Sequence, residues 1–282
     1  MTTTRARVVA LHGFLGRPSD WDELRPLIPW AQVEAVDLWR WCETGGARDW
    51  EAAGRQVDRL LNRLAAGEPT LPTVLVAYSF GARLALAAPG LAGGRTRIAG
   101  ACIVSCNPGM PDGDVHGRAA RRQTDEAWAR LLLDAPEDRI WRAWDAQPVL
   151  AGPRGESLRE SRGPDSLPAE RATLAGAMRT FSLAGQPDFR PRLRRWQTPL
   201  LWVTGEADVK FSAFARDLAR QGVAASFVSC PRAGHRVPWD NPDHFAAALA
   251  AWVEQLAINQ SDRPTTQSTN LLNPATNQGT DK

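Results

Sequence analysis

Lysine is almost absent from this chain of 282 residues: Lys210 and Lys282 are the two, and every other basic side chain is arginine, histidine aside. The formal charge of +3 is small for the length, and the arginines form no basic block, which argues against a nucleic-acid footprint. Single arginines matter differently, because a guanidinium grips a carboxylate through two parallel hydrogen bonds. Long apolar runs are missing too; none approaches the roughly 18 residues needed to span a bilayer. The N-terminus, MTTTRARVVALHGF, enters a strand-like segment almost at once, so no signal-peptide core is expected. Cysteine is scarce: Cys42, Cys102, Cys106 and Cys230 form no CxxC pair and no ligand spacing with histidine. This pattern argues against a disulfide framework or a metal site and suits small core residues in a reducing cytoplasm.

The length and the 43 % hydrophobic content allow one large α/β domain with an insertion, or two modest domains. ARVVALHGF predicts a strand running into a glycine turn, and QVEAVDLW (Gln32 to Trp39) a second strand. Trp50, Ala53, Val57, Leu60, Leu61 and Leu64 recur at helical spacing. TVLVAY and IAGACIVS are short apolar runs of the kind that form central parallel strands. From about residue 107 to 196 this rhythm gives way to Arg-, Trp- and Pro-rich helices over Ala119 to Leu133, Glu137 to Trp144 and Ala169 to Leu183. It resumes with PLLWVTGE, a helix from Phe211 to Arg220, the strand AASFVS and a last helix from Pro242 to Ile258. The expected architecture is an α/β fold with a mostly parallel central sheet flanked by helices. Residues 1–106 and 197–258 form its two halves, and residues 107–196 a helical lid over the sheet's active edge. Residues 259–282, rich in Asn, Thr, Gln and Ser, are expected to be a disordered tail.

The chemistry centres on VLVAYSFGARLALAA, a buried strand, a sharp turn and a helix. Ala77-Tyr78-Ser79-Phe80-Gly81 nearly spells the G-x-S-x-G elbow that presents a nucleophilic serine between strand and helix. An acid and a histidine should follow in that order, beyond the ends of later strands. Asp208 in GEADVKF and His235 in PRAGHRVPWDNP meet both conditions. Each alone reads equally well as a loop residue; three in the required order and context do not. His12 in LHGF reads as structural beside a turn whose backbone suits an oxyanion. His116 falls in a loop of the insertion, and His244 on a solvated helix face. Asp188 and Asp217 are poorer acid candidates. Arg83, four residues after Ser79, shares its helix face and points toward the pocket. A cation there would be costly without an anion, so it calls for an anionic substrate.

With these residues assembled, the chain resembles an α/β-hydrolase-fold family of menaquinone biosynthesis, the 2-succinyl-6-hydroxy-2,4-cyclohexadiene-1-carboxylate synthases. The resemblance runs from VVALHGF to AAWVEQL and excludes the tail. YSFGARLAL is similar at the elbow, and GEADVKF and PRAGH at the acid and the histidine. More specific are NPGM, RAARRQTDEAWARLL, WDAQPVL and SLAGQPDF, which resemble that family's lid. The resemblance implies a triad of Ser79, Asp208 and His235, with Phe14 and Phe80 offering backbone N–H groups to an oxyanion. It implies that Arg83 and Arg121 grip substrate carboxylates and that Tyr78 and Trp144 line the pocket. Three departures stand out. Ala77 replaces the usual elbow glycine, and DLWRWC (Asp37 to Cys42) replaces a common DLPGHG, so one pocket loop is expected to differ. A further lid arginine has no clean counterpart; Arg162 and Arg171 bracket its place.

The implied activity is a lyase reaction on a small anionic polycarboxylate, without metal or cofactor. Pyruvate would leave 2-succinyl-5-enolpyruvyl-6-hydroxy-3-cyclohexene-1-carboxylate, with triad-activated Ser79 as base. The alternative is a covalent carboxylesterase, thioesterase or C–C hydrolase acting on an anionic substrate. A receptor that keeps the fold without catalysis is a remote third.

Overall fold

A computed structural model of the chain describes residues 4–45, 47–67, 70–150 and 167–261. Its centre is a six-stranded sheet in the order β2-β1-β3-β4-β5-β6. The strands are β1 (Ala6–Leu11), β2 (Ala31–Val36), β3 (Thr73–Tyr78), β4 (Gly100–Val104), β5 (Leu200–Gly205) and β6 (Ser226–Cys230). Every neighbouring pair is parallel. The four inner strands are buried along their whole length, which is why they read as unbroken apolar runs. The edge strands β2 and β6 are partly exposed and correspondingly more polar.

Side chains alternate between the two faces of the sheet. Val9, Leu11, Leu75, Ala77, Ala101 and Ile103 join one apolar cluster, together with Trp50, Val57 and Leu61 of α2 (Trp50–Gly67) and Leu84 of α3 (Phe80–Ala87). Val8, Ala10, Val74, Val76, Cys102 and Val104 join the other, covered by Phe245, Leu249 and Trp252. Those three lie on the C-terminal helix Pro242–Ser261, which continues past residue 258; residues 262–282 lie outside the described residues. Cys102, Cys106 and Cys230 are buried free thiols, and burial pushes the Cys230 thiol up to about 12.

The second strand ends at Val36, short of the Trp39 expected from its pattern, because a helix begins at once. Asp37 Oδ1 accepts hydrogen bonds from the N–H groups of Trp39 and Arg40, and α1 (Leu38–Gly45) follows. After the short α4 (Pro89–Ala92) and β4, the described residues before β5 include four further helices. They are α5 (Val115–Asp134), α6 (Glu137–Asp145), α7 (Arg171–Thr180) and α8 (Arg190–Leu193). His116 is exposed on the first turn of α5, not in a loop, because Asp114 caps that helix early by accepting from the Gly117 N–H. The chain then returns through α9 (Val209–Arg220), β6, α10 (Val237–Asp240) and the C-terminal helix, α11. No helix among the described residues is long and apolar enough to cross a membrane.

Candidate active site

Ser79 stands between β3 and α3 with φ 49° and ψ −101°, a conformation a non-glycine residue rarely adopts. The turn is held because α3 packs tightly on the end of β1. Gly81 donates its N–H to His12 O, and a Cβ there would lie 2.7 Å from that oxygen and from Leu11 Cβ. Ala77, by contrast, is fully buried in the apolar cluster, where its methyl is accommodated. His12 is structural: its Nδ1 lies 2.9 Å from Gly13 O, and its Nε2 accepts from the Leu38 N–H at 3.1 Å.

Ser79 Oγ lies 3.1 Å from His235 Nε2, and His235 Nδ1 lies 2.9 Å from Asp208 Oδ2. Asp208 is the N-cap of α9, so its other oxygen, Oδ1, accepts from the Phe211 N–H at 3.1 Å. One carboxylate thus fixes both a helix end and an imidazole. The His235 loop approaches the Asp208 loop closely because β5 ends in Gly205; a Cβ there would lie 2.1 Å from Gly234 O. Asp240 Oδ2 accepts from the Gly234 N–H at 2.8 Å, and the Phe211 ring lies 4.4 Å from the imidazole. With Nδ1–H donated to Asp208, Nε2 is left to accept the Ser79 proton.

These groups open into one cavity whose wall includes Phe14, Tyr78, Phe80, Arg83, Arg121 and Trp144. Phe80 is the first residue of α3, so its N–H has no acceptor within the helix. Phe14 packs edge-on against Phe80 and tilted against Trp144, at 5.6 and 5.5 Å between centroids. Arg83 donates from Nε to Gln186 Oε1 and from Nη2 to Phe181 O, and it lies 4.9 Å over the Trp50 ring. Both acceptors are neutral. Burial, helped by the nearby Arg121 charge, pushes the Arg83 guanidinium down to about 10. Arg121 instead meets Asp125 through two nitrogens, Nε at 2.9 Å and Nη2 at 2.6 Å. Asp125 is buried and also accepts from the Ser182 hydroxyl at 2.6 Å.

Arg171 is turned away from this cavity. Its Nη1 donates to Leu132 O and Ala135 O, capping the end of α5, and Nη2 approaches Glu137. Arg162 lies outside the described residues. Asp188 and Asp217 pair with Arg190, and His244 is exposed.

Several contributors escape the sequence reading. Lys210 and Arg236 also line the cavity, and burial and Arg121 lower the Lys210 ammonium. Gln186 is fully buried, holding Arg83 while its Nε2 donates to Asn107 O. Trp39 of α1 stacks on Phe80 at 5.9 Å, meets Phe14 edge-on at 5.2 Å and donates Nε1–H to Gly16 O. Asp125, by contrast, had a local signal, its i,i+4 spacing from Arg121.

A parallel sheet with a strained serine turn at its carboxyl edge is the framework of the α/β hydrolases. The Alpha/beta hydrolase family model matches residues 8–249, and the chain belongs to that family. Within it, the chain is 33 % identical over 251 residues to the 2-succinyl-6-hydroxy-2,4-cyclohexadiene-1-carboxylate synthase of Escherichia coli K12, covering 86 % of this chain and 92 % of that one. The enzyme of the same name from Enterobacter sp. strain 638 is also 33 % identical, with 86 % and 90 % covered. By this likeness the chain is a member of the 2-succinyl-6-hydroxy-2,4-cyclohexadiene-1-carboxylate synthase family. The fold is shared with MenH from S. aureus, with a TM-score of 0.74, 22 % identity and coverage of 91 % and 96 %.

Proposed function

We propose that the protein eliminates pyruvate from 2-succinyl-5-enolpyruvyl-6-hydroxy-3-cyclohexene-1-carboxylate, giving 2-succinyl-6-hydroxy-2,4-cyclohexadiene-1-carboxylate for menaquinone biosynthesis. Ser79, His235 and Asp208 act as a proton relay. His235, oriented by Asp208, takes the Ser79 proton, and the Ser79 oxygen removes a proton from the substrate ring. The C–H electron pair spreads toward the succinyl ketone, where the Phe14 and Phe80 N–H groups stabilise the oxyanion; such a donor contributes roughly 3–4 kcal/mol of barrier. The pair then forms the C2=C3 double bond, the C3=C4 pair shifts to C4=C5, and the C5–O ether bond breaks with its electrons leaving on enolpyruvate. Ser79 keeps the ring proton, and the proton held on His235 passes to the carbon of the released enolpyruvate, which becomes pyruvate and leaves the imidazole neutral again.

The observation that carries this reading is Arg83. Its charge meets only neutral acceptors among the described residues, in the same cavity as the Ser79–His235 pair. An anionic ligand completes that arrangement, and a neutral ester does not. Arg121, Tyr78 and Trp144 complete the wall, and the inserted helices act as a lid.

The test is to follow pyruvate release from the enolpyruvyl substrate, with Ser79→Ala as control. Turnover that falls at least a thousandfold in Ser79→Ala is expected, given what loss of a reactive serine costs elsewhere. Ester hydrolysis with an acyl-Ser79 adduct and no pyruvate release would decide for a covalent hydrolase instead.

A further inference from the structure

Asn107 stands just beyond β4, the neighbour of the strand that leads to Ser79, and it lines the same cavity while only 7 % exposed. Its backbone carbonyl accepts from Gln186 Nε2 at 3.0 Å, so it adjoins the side chain that holds Arg83. Its side-chain Oδ1 accepts from the Gly109 N–H at 2.9 Å. That bond fixes which way round the amide sits, because a backbone N–H only donates and must face the oxygen. Both oxygens of Asn107 are thus occupied by protein donors, while Nδ2 meets no acceptor among the described residues. We propose that Asn107 is a specificity-determining residue whose Nδ2–H donates to the ring hydroxyl oxygen of the substrate. This rests on the reaction proposed above.

A ligand that fills the cavity displaces water from this amide, and a donor left dry costs free energy unless the ligand supplies an acceptor. The substrate offers three kinds. Its carboxylates call for charge, and Arg83 and Arg121 stand in the same wall to meet them. Its succinyl ketone goes to the Phe14 and Phe80 N–H groups. The hydroxyl on ring carbon 6 is the polar group left, and its oxygen accepts from a neutral donor. A site built around such a bond discriminates against a ligand that lacks the hydroxyl, because the amide is then buried without a partner. The anchor of the amide is also rigid. Gly109 has φ 114°, a Cβ there would lie 2.4 Å from Pro187 O, and Pro108 O accepts from the Phe189 N–H at 2.8 Å. The turn that orients Asn107 is therefore packed directly on the segment after α7.

The test compares two ligands of equal charge. The product, 2-succinyl-6-hydroxy-2,4-cyclohexadiene-1-carboxylate, carries the hydroxyl, and 2-succinylbenzoate lacks it. Both are titrated calorimetrically into the parent protein, Asn107→Asp and Asn107→Ala, with thermal unfolding and pyruvate release measured alongside. Asn107→Asp keeps an acceptor for the Gly109 N–H and removes the amide donor. Its added charge weakens both ligands alike and cancels in the ratio of their dissociation constants. Asn107→Ala removes the donor without adding charge. The preference for the product over 2-succinylbenzoate should fall by about threefold or more in both variants, the scale of one neutral hydrogen bond. A smaller fall in either folded variant overturns the proposal. So does loss of both ligands together, the signature of a residue that only shapes the pocket. If Asn107→Ala does not fold, Asn107→Asp alone decides. Absence of pyruvate release from the parent would instead sink the proposed reaction, and the same ratio still judges Asn107: a threefold fall upholds the contact, and an unchanged ratio or a parent that binds neither ligand overturns it.

Discussion

Arg83 pairs with no carboxylate among the described residues. The Trp50 face, Gln186 and the Phe181 carbonyl hold its guanidinium through neutral groups, and Asp125 acts on its charge only from a distance. Replacement by alanine should therefore raise KM at least tenfold and lower kcat, with the fold intact. Lysine should rescue little, since one ammonium cannot reproduce a fork that spans a side-chain amide and a carbonyl. Unchanged kinetics on the anionic substrate would remove Arg83 from the carboxylate clamp. Its pH dependence has a definite sign. Burial lowers the guanidinium to about 10, so Arg83 is charged at neutral pH and loses its proton as pH rises through that value. A bound carboxylate favours the charged form and moves the transition upward. KM should therefore climb above pH 10 while kcat at saturation shifts less, and a flat KM profile through that range would contradict the assignment.

At the scale of elements, the strand-to-helix junctions decide the site. Gly81 is required because α3 rests on the backbone of His12, whereas the Ala77 methyl fills space in the first apolar cluster. Ala77→Gly should thus lower stability by about 0.5–1 kcal/mol through the extra freedom of glycine, and leave turnover within twofold. A large loss of activity would mean that Ala77 sets the serine's position. Trp39 is the more consequential departure. It stands behind both Phe14 and Phe80, so Trp39→Ala should cost about 3–5 kcal/mol by opening a cavity and also lower kcat as those backbones shift. Denaturant unfolding and steady-state kinetics would check both. This element also marks how far the sequence could be read. The meeting of Ser79, Asp208 and His235 was legible because each follows the end of a strand, apolar and buried for the first two and a mixed edge strand for His235. The alternation in QVEAVDLW carried the second strand past its true end, since a single capping aspartate outweighs periodicity at Asp37. The hold of Gln186 on Arg83 was not legible, because it comes from packing between the insertion and the core, which no period encodes.

Across the whole molecule, the near absence of lysine has a structural use. Arginines bind the inserted helices by gathering several carbonyls at once. Arg192 donates to Leu86 O and Ala87 O at the end of α3, and Arg190 to Gly109 O. Arg118 of α5 does most: it donates to the carbonyls of Met110, Pro111, Ala184 and Gln186 and to the Asp112 carboxylate. Gln186 in turn holds Arg83, so a chain of hydrogen bonds runs from α5 to the cavity. Lysine at position 118 keeps the charge but has three donors on one nitrogen, which cannot reach carbonyls on both sides of the fork. Arg118→Lys should therefore destabilise the protein by about 2–3 kcal/mol, the scale of hydrogen bonds made by a charged donor. It should also raise KM, by less than Arg83→Ala does, as Gln186 loosens its hold. The double variant separates direct from relayed effects. If Arg118 acts on substrate through Arg83, adding Arg118→Lys to Arg83→Ala should leave KM where Arg83→Ala alone sets it, while the stability losses still accumulate. Multiplying KM effects in the double variant would show that Arg118 reaches the substrate by another route.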